Sequence, residues 1–387
     1  MREGWTYKKL GEVISPAKVI KNGNNNNLPI LSITMRDGIV TQNSRFKKVI
    51  ASVDTSTYKV VKNGQLVIAF PIDEGLIYTQ DIVEAGIMSP AYNVWDVDFS
   101  NLNRRFLITY LHSPYAMKYY KSKLRGTTMR RRSIPKEDLL NMPLPCPLLS
   151  EQQSIVAELD KINELISLKK AQLSDLDNLA QSIFYDMFGD PIVNEKGWEV
   201  KILGDECVDM KYGTSRPASE NGRYKYLRMG NITSDGHLDL LDLKYIDIPD
   251  EEVEKCIVRH GDILFNRTNS YELIGKTCMF DLLEPMIIAG YIIRVRLSNN
   301  LHPRYVSIMF NLPSFKKLLR SKAKGAVNQA NINSKELASI RIPLPPLPLQ
   351  QEFAKRIELI EQQKAQISST IKDLETLLAS RMQYWFD

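Results

Sequence analysis

Residues Ser150–Phe188 read SEQQSIVAELDKINELISLKKAQLSDLDNLAQSIFYDMF, a run with neither Gly nor Pro. Apolar or long side chains recur at Leu159, Ile162, Ile166, Lys169, Leu173, Leu176, Ala180 and Ile183. The steps alternate between three and four, the spacing that keeps one seam of a helix turned towards a partner helix. A proline-rich strip, PLPCPLLSEQQ (Pro143–Gln153), leads into this run, and PLPPLPLQQE (Pro343–Glu352) leads into a second one. There Ile357, Ile360, Lys364, Ile367, Ile371, Leu374 and Leu378 each lie 198 positions beyond a seam residue of the first run. Two long helices with matched seams, each closing one half of the chain, indicate an internal duplication.

The remainder of the two halves corresponds in the same way. Gly4-Trp5 and Lys9-Leu10-Gly11-Glu12 open the first, and Gly197-Trp198 and Ile202-Leu203-Gly204-Asp205 open the second. Lys62-Asn63-Gly64-Gln65 before Leu66–Ile68 answers Arg259-His260-Gly261-Asp262 before Ile263–Phe265. The short Val/Ile-rich runs bounded by Gly, Asn or Asp predict strands, and Leu102–Leu124 and Tyr305–Lys324, apolar at every third or fourth position, predict helices. The expected class is therefore α+β, with mixed α/β domains over 1–148 and 189–345 and spacer helices over 149–188 and 346–387. Only the short link Gly189–Gly197 joins the first helix to the second domain, so the second helix is expected to run back antiparallel to the first. A helix of roughly 36 residues rises about 54 Å, enough to hold two domains well apart. Lys169 and Lys364 interrupt the seams, either as polar positions that set register or as side chains that snorkel to solvent.

Bulk composition narrows the function classes. With 387 residues, a net charge of +6 and a pI near 8.9, the chain is mildly basic, which suits a polyanionic partner without requiring one. Cys146, Cys207, Cys256 and Cys278 form no C-x-x-C pair and the His residues are scattered, so no metal site is expected and the thiols are expected to be reduced. The amino terminus has no apolar signal core and no apolar run reaches membrane-spanning length, which predicts a cytoplasmic protein. Catalytic motifs are missing: Gly275-Lys276-Thr277 lacks the earlier glycine of a phosphate-binding loop, and no Gly-rich dinucleotide or methyl-donor loop follows a strand. Two domain copies on a rigid spacer without such motifs favour a non-catalytic recognition module.

The basic residues are clustered. Lys118, Lys121, Lys123, Arg125, Arg130, Arg131 and Arg132 fall in one stretch without Asp or Glu, interrupted by Gly126-Thr127-Thr128. The matching place in the second half holds Lys316, Lys317, Arg320, Lys322 and Lys324, followed by Asn328, Gln329, Asn331 and Asn333. Like-signed clusters at equivalent places are what phosphate neutralisation along one duplex uses, and Arg, Asn and Gln are also the side chains that read guanine and adenine edges. Asn266, Arg267, Thr268, Asn269 and Ser270, just beyond a predicted strand, form a further polar loop.

In the paired proline exits before long helices, the link Ser182–Pro191 running into Lys196-Gly197-Trp198-Glu199, and Gly261–Arg267, the chain resembles the specificity subunits of Type I restriction-modification systems. That resemblance covers essentially the whole chain. It implies two similar target-recognition domains separated by two long helices forming an antiparallel coiled coil, each domain reading half of a split double-stranded DNA sequence. It also implies docking of two modification (methyltransferase) subunits and of restriction (translocase-nuclease) subunits. S-adenosylmethionine, Mg and ATP would reside on those partners, leaving this chain without a cofactor or catalytic residue. By the same analogy Lys121–Arg132, Asn266–Ser270 and Lys322–Asn331 would lie at or near DNA, Thr127 among them. The first half departs from the pattern: Val67–Ile72 stands where Ile263–Thr268 stands in the second, so Arg267 has no counterpart there. Two other classes fit the same residues, a coiled-coil scaffold that binds only proteins and an enzyme with an unrecognised site. Steep salt dependence of duplex binding separates the DNA reader from the former.

Overall fold

The computed structural model describes residues 4–23, 27–35, 37–42, 54–125, 133–326 and 329–387. Contacts divide the chain into two compact units, Met1–Lys170 with Ser369–Asp387 and Ala171–Ser368. The division passes through both long helices, Leu149–Phe188 and Leu347–Phe386, so each unit contains a part of each.

Both units repeat one plan. An opening strand pairs antiparallel with the proline strip that precedes a long helix: Thr6–Lys9 with Pro143–Cys146, and Glu199–Ile202 with Arg341–Leu344. Pro143 and Pro145 alternate along their strand, so the missing N–H groups fall on one side of a two-stranded ribbon, where proline is tolerated. Each unit also holds a four-stranded antiparallel sheet. In the first the order is Ile14–Pro16, Asn93–Val97, Leu66–Ile68, Ile77–Thr79; in the second it is Cys207–Tyr212, Ile292–Leu297, Ile263–Asn266, Thr277–Met279. Leu66–Ile68 and Ile263–Asn266 are buried along their whole length, which is why both read as unbroken apolar runs rather than alternating ones. The second unit adds a mixed sheet of Lys244–Ile246, Tyr224–Leu227, Met286–Ile288 and Ile257–Val258.

The helical segments expected over 102–124 and 305–324 are each two helices. Arg104–Leu111 gives way to Pro114–Lys123, and Pro303–Asn311 to Pro313–Lys322. A proline at the first position of each second helix cannot extend the preceding one but starts a new one without loss. Ser113 caps the new helix by accepting from the Ala116 N–H.

One glutamine at the start of each long helix joins these parts. Gln152 accepts from the Asn103 N–H at 2.8 Å and donates to the carbonyls of Asn101 at 3.1 Å and Pro147 at 2.8 Å. Gln350 does the same with the His302 N–H, Asn300 and Pro345 at 2.8, 3.1 and 2.8 Å. Both side chains are fully buried. The hydroxyls of Tyr110 and Tyr305 reach the carbonyls of Pro143 and Pro343.

Within each unit the two long helices are antiparallel. In the first, Glu158 meets Arg381 and Lys170 meets Glu375 at 2.9 Å; in the second, Asp177 meets Lys364 at 2.7 Å and Phe184 packs on Phe353 with ring centroids 5.6 Å apart. Partners fall in number along the second helix as they rise along the first. Leu159, Ile162, Ile166, Leu176, Ile357, Ile360, Ile367 and Ile371 are buried, while Lys169, Leu173, Ile183, Lys364, Leu374 and Leu378 are partly exposed. Lys364 is neutralised by Asp177 and Glu361 and lies 3.1 Å from His237. Towards the end of the first helix burial passes from Ile183 to Phe184 and Phe188, which join Tyr305 and Phe353 in an aromatic cluster. The helix stops at Gly189, whose φ of 75° is the left-handed conformation that ends helices.

Candidate nucleic-acid interface

The second unit gathers its polar loop and its basic cluster onto one small sheet. Thr268–Asn269 pairs with Gln329–Asn331, which pairs with Lys324–Ala326. Thr268 Oγ1 donates to Asn331 Oδ1 at 3.1 Å, locking the two strands side chain to side chain. Arg267 is held by its backbone on both sides: its N–H donates to the Tyr291 carbonyl at 3.0 Å and its carbonyl accepts from the Ile332 N–H at 2.9 Å. Its guanidinium lies over the Tyr212 ring, 4.9 Å from the centroid. The Tyr212 hydroxyl accepts from the Ser334 N–H at 2.8 Å. Burial pushes that phenol up, but the hydrogen bonds from Ser334 and Arg267 and the guanidinium charge outweigh it and leave it below its ordinary value.

The cations around this sheet differ in direction. Lys322 and Lys324 are exposed, with Lys324 anchored to Glu336 at 2.6 Å; that contact and the Asn333 N–H hold the Glu336 carboxyl below its usual range. Lys316 faces inward: its amine donates to the Gly275 carbonyl at 2.8 Å, and burial pushes it down to about 8. Arg320 donates to the Glu272 carbonyl at 3.1 Å.

The first unit has the same device at the same place. Lys121 and Lys123 end the helix Pro114–Lys123, and Arg125 pairs with Ser133 through two backbone hydrogen bonds of 3.0 and 3.1 Å. Lys123 and Arg125 share Asp138, at 3.7 and 3.5 Å, as Lys324 uses Glu336. Thr127, Arg130, Arg131 and Arg132 lie outside the described residues, as does Asn328; of Gln329 only the backbone is described. Two expectations are corrected. Asn266, expected beside DNA, is 0% exposed, because it is the last residue of a central strand paired on both sides. Lys316, expected in the surface cluster, is turned to the loop carbonyl of Gly275.

The model of the type I restriction modification DNA specificity domain matches residues 2–178 and again residues 195–376. The chain belongs to that family. Among curated specificity subunits, that of the type I restriction enzyme EcoKI from Escherichia coli (strain K12) is 26% identical over 57% of this chain and 50% of its own length. That of MjaVIII from Methanocaldococcus jannaschii is 24% identical over 97% of this chain and 92% of its own length. The chain spans about half the length of the first curated relatives it matches, 50% for EcoKI and 38% for the putative MjaX subunit. The same fold occurs in a chain from a structure of complex assembly and conformational transition of the type I R-M system, with a TM-score of 0.63 and 20% identity over 100% of this chain and 98% of that one. It also occurs in the type I S subunit from M. genitalium, with a TM-score of 0.51 and 13% identity over 99% of this chain and 96% of that one.

For a specificity domain, the residue that sequence reasoning missed is Tyr212. It ends the edge strand Cys207–Tyr212, far from Arg267 in the chain, and no local pattern couples the two. In the first unit the two positions that follow the central strand Leu66–Ile68 are Ala69 and Phe70, and Phe70 is 38% exposed. The expected lack of an arginine there follows from the sequence, and the exposed ring in its place is what the fold adds.

Proposed function

We propose that this chain is a non-catalytic DNA-reading subunit in which each unit recognises one half of a bipartite duplex sequence. The observation that carries the reading is the duplicated DNA specificity domain, each copy bearing a carboxylate-anchored cation at the same place, Arg125 on Asp138 and Lys324 on Glu336. Phosphate contacts from Lys121, Lys123, Arg125, Lys322 and Lys324 set position; Arg267, Thr268, Asn269 and Asn331, with Thr127, Arg130, Arg131, Arg132, Asn328 and Gln329, set sequence. The long helices dock two methyltransferase subunits, and restriction subunits complete the assembly. S-adenosylmethionine, Mg and ATP act on those partners, in the cytoplasm. Among the described residues no helix is long and apolar enough to cross a membrane.

The test is duplex binding across a salt series. A DNA reader shows log affinity falling steeply with log salt, together with preference for one split sequence over random duplex. Salt-independent binding, or equal affinity for all duplexes, favours the protein-only scaffold and refutes the proposal.

A further inference from the structure

We propose that Arg267 reads a guanine in the half-site of the second unit and that Tyr212 is the positioning residue that orients it. The inference rests on the DNA-reading function above and names the base and the residue that presents the reader. In this unit Arg216, Arg223, Arg228, Arg259, Arg294 and Arg296 each face an Asp or Glu at 2.6 to 3.1 Å. Arg267 forms no ion pair among the described residues; its side chain meets Tyr212, lying over the ring and giving a hydrogen bond to the hydroxyl. Stacking on an aromatic face, with a hydrogen bond to one phenol oxygen, holds the guanidinium plane and leaves it more free donors than a bidentate carboxylate does.

Three further features separate base reading from phosphate binding. A phosphate accepts a cation from many directions, so a lysine on a mobile stem serves, and Lys322 and Lys324 are present for that on the neighbouring strand and helix end. Arg267, in contrast, is pinned by backbone bonds to Tyr291 and Ile332, and its Nε is buried without a partner. Its donor fork is thereby preorganised, which lowers the entropy lost on binding. A fixed, planar pair of donors matches the O6 and N7 acceptors of guanine, and no other base offers two acceptors side by side in the major groove. Tyr212 is itself fixed from the other side, since its hydroxyl accepts from Ser334, the first residue of the short helix that also supplies Glu336 to Lys324. The ring therefore ties the base reader to the phosphate-binding hairpin. In the first unit neither Phe70, which is exposed, nor Pro71 beside it has a side-chain donor to offer at the corresponding place, so that half-site serves as an internal control.

The test uses the full chain, purified with the methyltransferase subunits that the proposed function requires, and selection from a randomised duplex library at constant salt. The wild type enriches a split motif with an invariant guanine in one half. R267Q loses preference at that single position by about tenfold or more, a bidentate base contact being worth that much. R267K keeps overall duplex affinity but also loses the guanine. Y212F, which retains the ring but lacks the hydroxyl, keeps part of the preference, whereas Y212L loses it. In every variant the other half of the motif and the remaining positions of this half stay enriched, which shows that both units are folded. Placing 7-deazaguanine at the invariant position weakens wild-type binding and leaves R267Q unaffected. If a motif is enriched and R267Q retains every position of it, the guanine assignment is overturned while DNA reading stands; if the wild type enriches no motif, DNA reading itself fails.

Discussion

Lys316 shows how far a single side chain's direction departs from its place in a charge cluster. Its neighbours in sequence are basic, yet its amine is buried against the Gly275 carbonyl and pushed down to about 8, with the charges of Arg320 and Lys276 adding to the effect of burial. Because the folded-state value lies below the ordinary 10.5, the unfolded chain binds the extra proton more readily. Stability contributed by this group is therefore depressed below pH 8 and rises as pH climbs from about 8 towards 10.5. The expected result is that Lys316→Met removes this rise: chemical denaturation of the wild type gains stability across that window from this group, and the variant does not. A variant whose pH profile parallels the wild type excludes the buried amine as its source. Asn266 carries the same lesson at the end of a strand, where its position within a polar string says nothing about the face it occupies. Its amide is enclosed and has no hydrogen-bond partner among the described residues.

At the scale of elements, the proline strips and the glutamine that follows them act together. The strip ends as a strand, the chain turns, and the buried Gln closes the turn by binding the N-terminus of the helix pair beneath it. Gln350→Leu leaves one backbone N–H and two carbonyls without their partner in a buried place, which costs about 3 kcal/mol in total at roughly 1 kcal/mol or more for each group. Gln152→Leu carries a similar cost in the first unit, since its three bonds are the same. Urea denaturation of each variant measures this, and a loss under 0.5 kcal/mol for both, a rough threshold set by ordinary surface substitutions, sinks the argument. The long helices are held by a different balance. Apolar positions such as Ile162 and Ile367 supply burial, whereas Glu158–Arg381 and Asp177–Lys364 fix which residues face each other. Lys364 is pushed down by burial but raised further by its hydrogen bond to Asp177 and the nearby Glu361, so it stays charged, a paired polar position rather than one that snorkels away.

For the whole molecule, the proposed bipartite reading makes helix length a variable of specificity. Removing residues 169–175 from the first long helix and 367–373 from the second takes out one heptad from each and shortens the rise by about 10 Å. The expected outcome is a preferred gap between half-sites shorter by about three base pairs, at 3.4 Å each, or loss of specific binding. Selection from a library of split sites with graded gaps checks this, and an unchanged optimum removes the helices from the role of spacer.

The duplication, the class of the domains, the two long helices and their antiparallel sense are legible in the sequence. The antiparallel sense rests on the shortness of the Gly189–Gly197 link and the others on periodicity or recurrence between the halves; the heptad seams, the buried strand runs and the proline exits are local signals that survive without knowledge of distant contacts. Residues that alternate three and four apart must share a helix face wherever the helix goes. The place where Arg267 meets Tyr212, and where Thr268 meets Asn331, was decided only by tertiary structure, because strands far apart in the chain come side by side there. So were the inward turns of Asn266 and Lys316 and the passage of the seam to Phe184 and Phe188. Polarity along a chain records which residues tolerate water, but the side a residue faces is set by the neighbours that the fold delivers, and those are non-local.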